Sequence, residues 1–173
     1  MSAVIESHHD DHHHGPAKGF SRWLYTTNHK DIGSLYLWFS FIMLFVGGAM
    51  AMVIRAELFE PGSQIVSPEF YNQMVTNHGL IMVFGVIMPA FVGLANWMIP
   101  MQIGAPDMAL PRLNNLSFWI LPAAFGVLLS TFLMEGGAPN FGWTFYAPLS
   151  TEYAPPTVTF FIFSVHIMGA SSI

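Results

Sequence analysis

Three stretches without a formal charge bound what this chain can fold into: residues 32–54, 70–106 and 113–134, of 23, 37 and 22 residues. A helix needs about 20 apolar residues, at ~1.5 Å each, to cross a bilayer core. Each run is therefore long enough to span. A fourth run, residues 157–173, has 17 residues and stops without a polar end signal. The chain is 53% hydrophobic and 9% charged, where a soluble domain carries about 25% charged residues. These runs predict an all-α polytopic membrane helix bundle, and they read as the amino-terminal piece of a longer chain. Cysteine is absent, which excludes disulfides and thiolate metal sites.

The position of the charges says more than the net charge of -5. Lys18, Arg22 and Lys30 precede the first span, and Arg112 lies between the second and third. The opposite loops carry Glu57, Glu60, Glu69, Glu135 and Glu152, with Arg55 the one basic residue nearby. Basic residues concentrate on the cytoplasmic side of membrane proteins, so the amino terminus is expected in the cytoplasm. Residues 1–19 include "HHDDHHH" at 8–14 and lack the apolar core of a cleavable signal. They read as a disordered cytoplasmic tail, with loose metal binding by its histidines as the alternative.

The predicted helices run over about 30–57, 69–103, 111–135 and 157–173, the last truncated. Pro89 inside the second predicts a kink or tilt, and Pro111 suits the first turn of the third. Gly47, Gly48, Gly85 and Gly93 suggest close helix approach. Residues 136–156, rich in Gly, Pro and aromatics, suit an ordered loop at the membrane interface. No internal repeat stands out.

Polar side chains inside a membrane are costly and therefore point to function. His78 and His166 each lie about nine residues, or roughly 13 Å, into their spans from the same side. Taken alone, they read either as paired imidazole ligands to a haem or as separate hydrogen bonds to neighbouring helices. Asn96 follows His78 by 18 residues, about five turns of an α-helix, which places both on one face if Pro89 leaves the phase unchanged. Beyond it, "GAPDMALPRLNNLS" at 104–117 offers a carboxylate, amides and a hydroxyl. Such a set could order water into a proton path; ordinary loop and cap chemistry is the plainer reading of each member. Arg55 reads either as a snorkelling side chain or as a guanidinium aimed at a cofactor.

The segments "WLYTTNHKDIGSLYLWF" (23–39), "IRAELFEPG" (54–62), "NHGLIMVFGVIMPAFVGLANWMIPMQIGAPDMALPRLNNLSFW" (77–119), "GWTFYAPLS" (142–150) and "FSVHIMGASSI" (163–173) closely resemble subunit I of the haem–copper cytochrome c oxidases. The resemblance covers residues 20–173 and implies a subunit of twelve helices, of which this chain holds the first four. It implies a terminal respiratory oxidase that takes electrons from cytochrome c, through copper A on a partner subunit, to haem a and then to haem a3–copper B. There O2 is reduced to water while protons are pumped.

Residue by residue, the resemblance makes His78 one axial ligand of the low-spin haem a iron, with the second ligand outside this chain. That replaces the pairing with His166, which matches no known haem ligand. Arg55 matches the arginine at the haem a formyl group, and Trp143 lies in a stretch that approaches haem propionates. Asp107 matches the entrance carboxylate of a proton pathway, with Asn96, Asn114, Ser117, Tyr36, Ser171 and Ser172 along the route. Glu57, Gly62 and Gln64 match a loop site for calcium or sodium, whose hard ions take oxygen ligands; a solvated loop is the alternative. The ligands of copper B and of haem a3 lie outside this chain, so no catalytic residue falls within it and the segment alone is expected to be inactive. Implied partners are oxidase subunits II and III, cytochrome c and membrane lipid, without nucleic acid, and the implied location is a bacterial inner membrane. A quinol-oxidising relative and a bis-His electron-transfer cytochrome are the competing functions.

Overall fold

The computed structural model describes residues 19–62 and 64–172; the expected tail at 1–19 lies outside them except for Gly19. The described residues form helices and loops without a strand. A short α1 (Phe20–Tyr25) leads into α2 (His29–Glu57). Next come α3 (Pro68–Leu80), a π-helical segment (Ile81–Ile87) and α4 (Met88–Ile103), a continuous rod of 36 residues. Then follow α5 (Pro111–Ser130), a 3-10 turn (Thr131–Leu133) and α6 (Val158–Ala170).

Local chemistry sets most ends. The Asn28 side chain accepts from the Lys30 N–H at the start of α2, and Ser67 does the same for Phe70 before Pro68 opens α3. Such caps satisfy N–H groups that the first turn leaves free. Gly104 closes α4 in the left-handed conformation at φ 71°, where a side chain would be strained. Pro111 opens α5, as its fixed φ and missing N–H allow.

Three of these helices are long and apolar enough to cross a membrane: His29–Glu57, Pro68–Ile103 and Pro111–Leu133. The 13 residues of α6 reach only about 20 Å, short of the ~30 Å hydrocarbon core. The aromatic side chains of Trp38, Phe41, Phe45 and Phe91 are half or more exposed, which suits lipid and not water. The chain is an integral membrane protein.

The rod packs along α2, α2 also touches α5, and α6 lies on α5. On α2 the buried side follows a helical stripe through Ile32, Tyr36, Phe39, Met43, Gly47 and Met50; on α5 it follows Phe118, Leu121, Phe125 and Leu128. The stripes meet edge to face, Tyr36 against Phe118 at 5.1 Å and Phe39 against Phe125 at 5.5 Å between ring centroids. Lipid tails are as apolar as these side chains, so close packing over small residues does the work that water-driven burial does in a soluble core. A Cβ on Gly93 would lie 3.0 Å from the Gly33 carbonyl oxygen, and one on Gly85 3.0 Å from the Phe125 ring. Gly48 departs from the expected pattern: its α-carbon faces open space. Ser164 donates to the Ala124 carbonyl at 2.9 Å and fixes α6 on α5.

Pro89 does not interrupt the helical run, and a π-helical segment precedes it. The proline lacks the N–H that would bond to the Gly85 carbonyl, and its ring crowds that carbonyl. The ladder widens ahead of it, with the Met88 N–H reaching back five residues to Val83. Ser40 of α2 donates to the Val86 carbonyl at 2.8 Å within this widened segment. The π turn also changes the phase, so 18 residues no longer equal five turns. His78 and Asn96 therefore do not present their side chains to one neighbour: His78 reaches α2, and the Asn96 amide reaches α5.

Candidate functional site

Two polar sites meet α2 eighteen residues apart, at Gly47 and at His29. At the first, the His78 Nδ1 lies 2.9 Å from the Gly47 carbonyl oxygen. A carbonyl only accepts, so Nδ1 carries the proton and Nε2 keeps its lone pair, the tautomer that an imidazole metal ligand requires. Gly47 permits this approach: a Cβ there would meet Met82 Sδ at 2.8 Å and Ile81 Cγ2 at 3.2 Å. Gly79 follows His78, and a Cβ on it would meet only the Trp143 side chain, at 4.0 Å. Gly48, on the next position of α2, has no neighbour. The Nε2 lone pair could serve a metal-bearing cofactor, which His78 would hold.

Trp143 thus stands against α3 at Gly79, the residue after His78, and is 57% exposed. Arg55 lies two turns along α2 from Gly48 by helical phase and is exposed, without an ion-pair partner among the described residues. His166 bonds to the Ile162 carbonyl of its own helix at 2.8 Å.

The second site begins at Asp107. Its Oδ1 accepts from the Met108 N–H at 2.7 Å and from the His29 N–H at 3.2 Å. His29, which is 5% exposed, donates from Nδ1 to the Asn96 carbonyl at 2.8 Å. The Asn96 side-chain oxygen accepts from Asn114 Nδ2 at 2.7 Å. Asn114 then borders a cavity of about 200 Å³ lined also by Tyr36, Ser117, Ser171, Ser172 and the π-turn residue Phe84. Met88, Pro89, Val92, Leu121 and Met168 complete its apolar wall. Ser117, Ser171 and Ser172 each donate to a carbonyl of their own helix or turn, which leaves oxygen lone pairs to accept from water.

Of the seven residues expected along this route, hydrogen bonds through His29 bring Asp107, Asn96 and Asn114 together, and Tyr36, Ser117, Ser171 and Ser172 share a cavity with Asn114. The sequence reading passed over His29, which links Asp107 to Asn96. Its signal was present in "TNHKDIG", yet a histidine just before an apolar run reads as a solvated end.

The third group lies in the loop after α2. Glu57, 6% exposed, accepts at 2.9 Å from the N–H groups of Gln64, Ile65 and Val66. Gln64 Nε2 donates to the Pro61 carbonyl at 3.2 Å, and Gly62 has φ 104°. The carboxylate organises the loop through three backbone donors. Among the described residues no three His, Asp or Glu side chains cluster closely enough to hold an ion by themselves.

Comparison with known proteins places this chain in a family. Cytochrome c oxidase subunit 1 of Corynebacterium diphtheriae is 46% identical over 163 residues, covering 92% of this chain and 29% of that protein. Its counterpart in Corynebacterium efficiens is 48% identical over 143 residues, 82% of this chain and 25% of that protein. A probable cytochrome c oxidase subunit 1-alpha of Streptomyces avermitilis is 48% identical over 145 residues, 83% of this chain and 25% of that protein. The chain spans between a quarter and three tenths of the length of these relatives. The family described as Cytochrome C and Quinol oxidase polypeptide I matches residues 31–173, and the chain belongs to it.

Proposed function

We propose that the chain is a segment of the catalytic subunit of a terminal respiratory oxidase, supplying one ligand of a low-spin haem a and the entrance of a proton pathway. The observation that carries the reading is the His78 imidazole, oriented by the Gly47 carbonyl with Nε2 free. When bound, haem a relays single electrons through its iron, and the complete subunit adds haem a3 and copper B for O2 reduction. This chain's residues do the rest of the local work. Gly47 holds the His78 tautomer, Trp143 walls the neighbouring face, and Arg55 carries a charge suited to a formyl or carboxylate oxygen. Electrons enter from cytochrome c through copper A on subunit II, with subunit III and lipid completing the complex. The setting is a bacterial inner membrane with the amino terminus in the cytoplasm.

At the second site, Asp107 takes protons from the aqueous phase. The array His29–Asn96–Asn114 leads to the cavity, where Tyr36, Ser117, Ser171 and Ser172 order water for onward transfer. Glu57, Gly62 and Gln64 form the candidate site for calcium or sodium; Glu57→Gln is expected to weaken calcium affinity of the oxidase, and unchanged affinity removes the site. The family also contains quinol oxidases, whereas the relatives named above are cytochrome c oxidases, which favours cytochrome c as donor.

The test is His78→Leu in the complete subunit. Loss of the low-spin haem signal from the reduced-minus-oxidised spectrum is expected, and its retention overturns the ligand assignment. A haem a band in the parent protein supports the oxidase; a b-type spectrum alone overturns it.

A further inference from the structure

The two residues before His78 have a role of their own. We propose that Thr76 and Asn77 are positioning residues that fasten the 138–143 loop onto α3 and so set the Trp143 side chain against Gly79, the residue after the His78 ligand. This rests on the haem reading above.

Thr76 is 1% exposed and Asn77 0%. The Thr76 hydroxyl donates to the Asn72 carbonyl at 2.8 Å and accepts from the Gly142 N–H at 3.0 Å. Asn77 Nδ2 donates to the Gln73 carbonyl at 2.9 Å and to the Pro139 carbonyl at 3.2 Å. Both partners are carbonyls, so the amide has one possible orientation. Its Oδ1 is buried and has no partner among the described residues. Gly142 immediately precedes Trp143, and among the described residues a Cβ on Gly79 would meet Trp143. Behind the loop, Phe141 and Phe145 close on Phe161 of α6 at 5.6 Å and 5.4 Å, which holds its far side but not its distance from α3. On the α3 side the start of the loop packs on Gln73 at Gly137, and the two tethers hold the part that leads to Trp143.

Chemically, the tethers govern how far water reaches the His78 face. An oxidised haem carries one more positive charge than a reduced one, and water stabilises that charge. A loosened loop therefore favours the oxidised form, since hydration and burial are among the levers on haem potential.

The experiment is a redox titration of the low-spin haem in the assembled oxidase. Thr76→Val keeps the shape and removes both hydrogen bonds; Asn77→Ala removes the Pro139 tether independently. Each is expected to lower the midpoint potential and shift the low-spin band, with Thr76→Ser restoring parent values. Parent potentials and bands in both variants overturn the proposal. Hydrogen exchange on the unmutated oxidase decides where a variant does not assemble: the Gly142 N–H is expected to be protected, and exchange at the rate of a free loop overturns the tether. Retained haem in His78→Leu would overturn the haem reading itself. Lost haem there, with unchanged potentials in both tether variants, overturns only the positioning role.

Discussion

Gly47 serves the imidazole in two ways, through its carbonyl as acceptor and through its missing side chain as clearance. The two can be separated by substitution. Gly47→Ala places one carbon against the Met82 thioether, a flexible group that can turn away. Gly47→Val adds branches that also press on Ile81, a fully buried side chain. The first variant is expected to retain a near-parent low-spin spectrum. The second is expected to part α2 from the rod, lengthen the 2.9 Å bond to His78 and lower haem occupancy. Equal haem content and spectra in both would show that clearance at Gly47 does not matter. None of this was readable from the sequence, where Gly47 and Gly48 look equivalent. Which of the two meets a neighbour depends on how α2 is rotated against a helix more than thirty residues away.

At the scale of the element, helix existence was plain and helix interior was not. Charge-free runs delimit the spans because a charge in hydrocarbon is costly wherever it sits, and Asn28, Pro68, Gly104 and Pro111 mark ends by local chemistry. Pro89 was legible as a disturbance, but its form was not, because a widened turn depends on a partner from another helix. Ser40 supplies that partner to the Val86 carbonyl. Ser40→Ala is expected to destabilise the subunit by about 1 kcal/mol, in the range of interhelical hydrogen bonds in membranes, measured as the shift in an SDS unfolding transition. An unmoved transition would show that the carbonyl needs no partner. Pro89→Ala restores an N–H for Gly85, so normal pairing can resume and α3 rotates relative to α4. His78 and Asn96 could then not both keep their present partners. Haem occupancy or proton uptake is therefore expected to fall while the span still inserts; parent values for both would show that the π turn does not set the register.

Across the whole molecule, α2 carries one contact of each site, Gly47 for His78 and His29 for Asp107. Eighteen residues separate them, about 27 Å along a helix, well beyond the range at which sites without shared partners couple. The sequence showed both sites as motifs, yet showed neither His29 as a link nor the cavity as a space, since both arise only when α2, α4, α5 and α6 are assembled. Their separation predicts independent failure. Asp107→Asn keeps an amide oxygen that can still accept from His29 and Met108, so the turn at 105–108 is expected to hold and only the charge is lost. Proton uptake and the proton-to-electron ratio are expected to fall while the low-spin spectrum stays at parent values. Ser117→Val fills part of the cavity and removes one acceptor without touching Asp107. It is expected to slow uptake in the same way, again with an unchanged spectrum. His78→Leu should do the reverse, removing the haem signal while Asp107 keeps its partners. Unchanged turnover and proton stoichiometry in Asp107→Asn would take the entrance role from Asp107. A haem spectrum altered by Ser117→Val would show instead that the cavity and the His78 face act as one site.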